Sequence, residues 1–354
     1  MAVDGVPGID GPRLARWLSA SGVASGELLG IELIAGGRSN LTYRLDVGSS
    51  RLVLRRPPLG HVLPTAHDMA REFRVLTALN GTSIPVPAPV ALCSDPEIIG
   101  APFYLMKYVD GLVLRTPEDG ARLTPGQARQ LSERLAGMLA AIHAVDIAAT
   151  GLTGFGRPQG YLARQLARWQ RQWELSATRE MPGYDRLVQR LAAGLPADGE
   201  HTLVHGDFRL DNMLVTLGAS GGQPAIAAVV DWEMSTLGDP LADLGLTLIY
   251  WADPDDAQWP QISIGAGLTA MPGFLTRAEL AARYAELTGR DLSGIGYYMA
   301  FGCFKLAVVL EGIHARFLQH KTVGEGFERE GQAVPVLIQR AHQMLDSGLP
   351  GMPG

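Results

Sequence analysis

Two short segments place oxygen-bearing side chains where a divalent ion and a phosphate could meet. His205-Gly206-Asp207-Phe208-Arg209-Leu210-Asp211-Asn212 sets an Asn five residues after an Asp, and Val229-Val230-Asp231-Trp232-Glu233 delivers a second Asp from the end of an apolar run. Mg2+ is a hard cation that takes oxygen ligands, usually a few carboxylates plus the phosphates of a substrate. Asn212 and Asp231 are therefore the candidate metal ligands, and Asp207 is left to accept a hydroxyl proton. That division suits phosphoryl transfer, in which catalysis is mostly positioning and charge neutralisation of an in-line displacement. Asp and Asn also cap turns. Either segment alone would be ambiguous; both in this order favour the chemical reading.

A phosphate donor needs a grip, and strand parity upstream suggests one. In Leu52-Val53-Leu54-Arg55 the leucines share one face of a strand, and Val53 and Arg55 share the other. With the leucines under the following helix, Val53 can cover a nucleotide base and Arg55 can reach phosphate. The only lysines are Lys107, Lys305 and Lys321, so no lysine competes for this role in the early strands. Arg binds phosphate bidentately but is bulkier than Lys and not interchangeable with it. Met69, Glu72, Leu76 and Leu79 form one helical stripe, which puts a carboxylate among apolar residues where it needs a partner. An Arg55–Glu72 ion pair is expected, the alternatives being a pair with Arg71 or a snorkelling side chain. The loop Gly36-Gly37-Arg38-Ser39-Asn40 could bring the amides of Ser39 and Asn40 to phosphates, although Gly-Gly serves an ordinary hairpin equally well.

The HGD…N segment followed by a D-W-E segment resembles the catalytic and metal loops of the aminoglycoside phosphotransferase and choline kinase-like family. These are small-molecule kinases of protein-kinase-like fold. Over nearly its full length the chain is similar to the kinase-like domains fused to some acyl-CoA dehydrogenases. The resemblance implies Asp207 as catalytic base, Asn212 and Asp231 as Mg2+ ligands, Asp243 as a brace of the site, and His205 and Trp232 as scaffold. It places Met106 behind the adenine, with the backbone of Lys107 and Val109 hydrogen-bonding it, and makes ATP the co-substrate with GTP not excluded. It implies a small-molecule hydroxyl acceptor, a hydroxyacyl-CoA first and an aminoglycoside or other antibiotic second. Arg in place of Lys keeps open a third reading, a non-catalytic nucleotide-binding pseudokinase module.

The elements that must position these residues read as an α+β, two-lobed chain. Strands span about residues 30–56, a helix opened by a Thr65–Asp68 capping box runs to about Leu79, and Phe103-Tyr104-Leu105-Met106-Lys107 is a further strand. The expected layout is an N-terminal nucleotide-binding lobe, residues 1–106, with an antiparallel sheet and one helix. A hinge follows at 107–111, then a helical lobe at 112–354, in which Thr124-Pro125 opens a helix. Within that lobe, Thr202-Leu203-Val204-His205-Gly206-Asp207 is expected to pair with Asn212-Met213-Leu214-Val215. On Tyr161–Trp173, Arg164, Arg168 and Arg171 recur at helical spacing beside Trp169 and Trp173, either as a solvated face over buried tryptophans or as a clamp for an anionic acceptor. Lys305 and Arg316 could add positive charge there.

Composition narrows the partners. The 354 residues are 47% hydrophobic and 19% charged, with a formal net charge of −6. An acidic chain has no basic field to hold nucleic acid. Cys93 and Cys303 are too few for a disulfide framework, and the N-terminus lacks the pattern of a secretion signal. A cytoplasmic location is the expectation. The apolar stretch Tyr297–Ile313 is interrupted by Lys305 and Glu311 and reads as a buried helix rather than a membrane span. The sequence does not fix the oligomeric state.

Overall fold

The computed structural model describes residues 5–34, 40–59, 68–218, 222–256, 267–319 and 330–349. The chain forms two units, one of residues 1–111 with 150–152 and 227–235, the other of 112–149, 153–226 and 236–354. Asp231 thus belongs to the first unit although it lies far along the sequence.

The first unit begins with helix α1 (Gly11–Ser21), started by the Asp10 side chain accepting from Arg13 N and ended by left-handed Gly22. Strands β1 (Leu28–Leu33), β2 (Leu41–Val47) and β3 (Ser50–Arg56), helix α2 (Met69–Leu79), and strands β4 (Pro89–Cys93) and β5 (Phe103–Lys107) follow. The five strands are antiparallel in the order β1-β2-β3-β5-β4. Arg55 therefore sits on the central strand, opposite Thr42 on one side and Tyr104 on the other.

Three details differ from the sequence reading. Leu52 and Leu54 pack with Leu14 and Leu18 of α1, not under α2; α1, absent from that reading, covers the leucine face and leaves the Arg55 face to α2. Strand β4 has no counterpart in the sequence reading. Asp68 is itself the cap of α2, its Oδ1 accepting from Arg71 N at 3.0 Å; Thr65 lies outside the described residues.

The second unit contains α3 (Pro117–Gly120), α4 (Pro125–His143), α5 (Tyr161–Ser176) and α6 (Tyr184–Ala193), then β6 (Thr202–Val204) and β7 (Met213–Thr216). Strand β8 (Ala225–Val229) leads into the first unit, and the second resumes with β9 (Thr236–Gly238), α7 (Pro240–Tyr250), α8 (Arg277–Thr288), α9 (Ile295–Leu318) and α10 (Glu330–Ser347). Thr124 caps α4 with a reciprocal bond from Gln127. Strand β6 pairs antiparallel with β9, Leu203 opposite Leu237. The sequence expectation had paired it with residues 212–215, but the 3-10 turn Leu210–Asn212 interposes. Helix α9 is long and apolar enough to cross a bilayer by composition, and 72% of its most apolar window is buried in the protein.

Helices α7 and α9 meet almost backbone to backbone. A Cβ at Gly245 would lie 2.6 Å from the Tyr298 carbonyl carbon, and one at Gly302 would lie 3.2 Å from Leu246 Cα. Overpacking of rigid backbone typically costs ~1–3 kcal/mol. Gly245→Ala should therefore lower stability by about that amount in chemical denaturation; a midpoint equal to that of the parent would show that the helices can part at little cost.

Candidate active site

In the second unit the loop after β6 is shaped by one buried carboxylate. Asp243, in the first turn of α7, accepts from His205 N at 2.6 Å and from Gly206 N at 2.8 Å. Gly206 has a φ of +83°, a conformation that favours glycine, and it turns the chain so that Asp207 follows directly. Asp243 also lies 3.3 Å from His143 Nε2, and His143 Nδ1 is 2.7 Å from the Tyr284 hydroxyl. A carboxylate only accepts, so Nε2 carries the imidazole proton and Nδ1 accepts from Tyr284. Arg290 in turn donates to the Tyr284 oxygen at 3.1 Å. Burial works to raise the Asp243 carboxyl, but His143 and the loop amides outweigh it and hold it below the usual range.

Asp207 is fixed at both oxygens. Tyr250, at the end of α7, donates to Oδ1 at 2.7 Å, and Asn212 Nδ2 donates to Oδ2 at 2.9 Å and to the Asp207 carbonyl at 2.8 Å. Burial would raise this carboxyl, yet Arg209, the Tyr250 hydroxyl and Lys305 together keep it below the ordinary value. Arg209 is held by Asp211 and by the Tyr250 ring, whose centroid lies 4.9 Å from its guanidinium carbon. The result is an ionised carboxylate with a donor at each oxygen. Since Asn212 donates through its nitrogen, its amide oxygen is the atom suited to a cation.

The first unit carries a second cluster. Arg55 Nη1 lies 3.3 Å from Glu72 Oε1, the pairing expected from the helical stripe, and Arg55 Nη2 is 2.9 Å from Asp231 Oδ1. Burial disfavours the guanidinium charge, but Glu72, Asp231 and Glu233 outweigh it. Burial pushes the Glu72 carboxyl up to about 7 against the pull of Arg55. Asn40 is buried and donates to Glu233 Oε2 at 2.8 Å. Asp231 has φ +67° and is the one non-glycine residue with positive φ among those described. Such a conformation is a local strain that surrounding structure has to sustain. Here Trp232 Nε1 donates to Val229 O at 3.0 Å, Ser235 Oγ to Trp232 O at 2.6 Å, and Arg71 to Ser235 O at 3.0 Å.

Other residues singled out in the sequence fall as follows. Val53 and Met106 are buried and opposite each other on β3 and β5. Lys107 N donates to Ala88 O at 2.8 Å, so a donor to a base would have to come from elsewhere than this amide. Ser39 lies outside the described residues. Arg164, Arg168, Arg171 and Arg316 are exposed, whereas Trp169 and Trp173 are buried. Lys305 alone of the acceptor candidates reaches the Asp207 loop, donating to Gly206 O at 2.6 Å. Tyr250, Arg209 and His143 had no assigned role in the sequence. Tyr250 could have been found, since it follows Asp243 by seven residues on a helix and so shares its face.

Buried His143 makes the loop sensitive to pH. Burial pushes its imidazole below the ordinary value in spite of Asp243, so the folded state resists a proton that the unfolded chain takes up near pH ~6.5. Stability contributed by neutral His143 is present above that pH and is lost as pH falls below it. Between pH 7.5 and 5.5 the parent should lose more stability than His143→Gln, as read by denaturant titration; equal losses would mean that His143 titrates normally.

Residues 30–280 match the model of a family described as "Phosphotransferase enzyme family". Acyl-CoA dehydrogenase family member 10 of Mus musculus is 35% identical over 306 residues, 86% of this chain and 28% of its own length. Acyl-CoA dehydrogenase family member 11 of Rattus norvegicus is 34% identical over 320 residues, 90% of this chain and 40% of its own. The chain thus spans less than half the length of these curated relatives. Among solved structures, a candidate aminoglycoside phosphotransferase from Ralstonia eutropha JMP134 aligns over 95% of this chain and 98% of its own, at 31% identity and a TM-score of 0.78. A thermostable mutant of aminoglycoside phosphotransferase APH(4)-Ia, in ternary complex with AMP-PNP and hygromycin B, aligns over 96% of this chain and 99% of its own, with a TM-score of 0.59 and 16% identity, a likeness of fold.

Proposed function

The chain belongs to the phosphotransferase enzyme family, and we propose that it transfers the γ-phosphoryl group of ATP to the hydroxyl of a hydroxyacyl-CoA. The observation that carries this reading is Asp207, ionised, clamped by Tyr250 and Asn212, and mounted on a loop whose amides Asp243 anchors. In the reaction the acceptor oxygen forms a bond to Pγ as the bond from Pγ to the β–γ bridging oxygen breaks. The hydroxyl proton passes to the Asp207 carboxylate, and ADP leaves with the bridging oxygen. A carboxylate held below its ordinary pKa is a weak base, so the main work of Asp207 is to orient the hydroxyl and take its proton late. Arg55, positioned by Glu72, grips phosphate, and Val53 and Met106 frame the base.

The donor chemistry fits a divalent cation. Asp231 in the first unit and Asn212 in the second each present an oxygen of the kind Mg2+ takes. Among the described residues no cluster of three or more His, Cys, Asp or Glu is arranged to hold a metal. When bound, Mg2+ would neutralise charge on the β- and γ-phosphates.

The hydroxyacyl-CoA is supported by the names of the relatives and by the exposed Arg164, Arg168 and Arg171 on α5, which suit an anionic acceptor better than a polycationic aminoglycoside. A non-catalytic nucleotide-binding module is the second reading, favoured by the 2.9 Å bond from Arg55 to Asp231, which engages a carboxylate that a metal would need.

Mg2+-dependent ADP release across hydroxyacyl-CoAs, aminoglycosides, amino alcohols and sugars decides between them. Asp207→Asn should reduce kcat by roughly 10²–10⁴-fold with ATP affinity nearly unchanged; ATP binding without turnover on any acceptor would favour the module. Glu72→Gln should raise the KM for ATP several-fold, about the worth of one charge-assisted contact, with a smaller effect on the acceptor. An unchanged KM would separate Arg55 positioning from Glu72.

A further inference from the structure

Beside the Asp207 loop, wholly within the second unit, lies a small cavity lined by Tyr161, Gln165 and Trp169 of α5, Phe301 and Lys305 of α9, and Gly206. Its walls are aromatic and its polar groups are mostly donors. Lys305 makes one protein hydrogen bond, to Gly206 O at 2.6 Å; an ammonium has three protons, so two are left for a ligand. Its nitrogen lies 5.6 Å from the centroid of the Trp169 ring, a cation held over an aromatic face. Among the described residues, neither the Tyr161 hydroxyl nor the Gln165 amide has a hydrogen-bond partner in the protein. Asp243 also borders the cavity, but its oxygens are engaged by His143, His205 N and Gly206 N.

The ring of Tyr161 is placed there by a missing side chain. A Cβ at Gly238 would lie 2.7 Å from Tyr161 Cε2, so only glycine at the end of β9 lets the ring lie across the strand and line the cavity. Burial disfavours the Lys305 charge, Asp207 and Asp243 support it, and Arg168 opposes it. An electron-rich oxygen arriving at Lys305 would therefore gain an under-solvated cation, whereas an ammonium would meet Lys305 with like charge and could accept none of its protons.

We propose that this cavity reads a carbonyl or carboxylate oxygen of the acceptor, with Lys305 as the recognising cation, Tyr161 and Gln165 as added donors, and Trp169 and Phe301 against the neighbouring carbons. The proposal rests on the kinase reading for its purpose but not for its test. It makes the site selective for hydroxy compounds that carry a C=O group and hostile to those that carry an amine. The bland alternative is that Lys305 only ties down the Gly206 carbonyl.

The test is calorimetric titration of the full chain with three probes that share one four-carbon hydroxy chain, S-methyl 3-hydroxybutanethioate, 1,3-butanediol and 4-amino-2-butanol. The thioester should bind at least roughly tenfold more tightly than the diol, since a site with buried donors rejects an analogue that leaves them unpaired, and the amino alcohol should bind most weakly. Lys305→Met should bring thioester and diol together, and Lys305→Arg should keep most of the preference. Tyr161→Phe, which leaves the Gly206 contact intact, should weaken the thioester by several-fold and the diol little, and it keeps the test available if Lys305→Met does not fold. Equal binding of thioester and diol, preference for the amine, absence of binding by all three, or a preference that survives both Lys305→Met and Tyr161→Phe would each overturn the proposal. The preference without ADP formation would sink the kinase reading and leave the cavity assignment standing; ADP formation with no such preference would do the reverse.

Discussion

A buried carboxylate without water must be met by protein donors, and the way Asp243 is met determines the shape of the second unit's chemistry. Two successive backbone amides of a loop point at it, and that arrangement requires the left-handed glycine between His205 and Asp207. The third donor, His143, comes from α4 and is itself fixed by Tyr284 of α8. Asp207 is thus located by a chain of buried groups that stand behind its loop. Because each link is buried and directional, the loop has few alternatives to its observed form, and its pre-organisation is what an in-line displacement needs.

The first unit solves a different problem, that of holding a strong cation among several acids. Arg55 faces Glu72, Asp231 and Glu233 together, and no single pairing satisfies it. Glu72 comes from a helix whose packing is settled, whereas Asp231 sits on strained backbone. An incoming phosphate would compete first with Asp231, whose side chain is partly exposed whereas that of Glu72 is buried. Arginine suits such sharing because its planar fork can face more than one partner at once, which a lysine ammonium does with less geometric definition.

How far the sequence carried this picture depends on whether a feature is local. The Asp207–Asn212 spacing, the Glu72 position and the cap at Thr124 are visible because a five-residue interval, a helical stripe and a Thr-Pro start are properties of adjacent residues. The pairing of β6 with β9 was not visible, since a three-residue strand ending in glycine carries little periodic signal. Helix α1 was missed although Asp10, Pro12 and Gly22 mark its ends, because a charged, short stripe looks like loop until the sheet it covers is known. The left-handed Asp231 could not be foreseen, as it depends on Trp232, Ser235 and Arg71 acting from the surrounding fold. The arginines of α5 were legible as a stripe, but the side of that helix that faces the cavity carries Tyr161, Gln165 and Trp169.

The glycine contact between α7 and α9 bears on how such a protein could diversify. One wall of the cavity beside the Asp207 loop is carried by α9, locked to α7 through Gly245 and Gly302, and α7 also supplies Asp243 and Tyr250 to that loop. A change that shifted this wall would disturb the loop with it. Helix α5 faces the same space with side chains alone, and substitutions at Tyr161 and Gln165 leave those bonds in place. Divergence in acceptor choice among paralogues of this fold should therefore accumulate on α5 first, with α9 changing only when α7 changes alongside it.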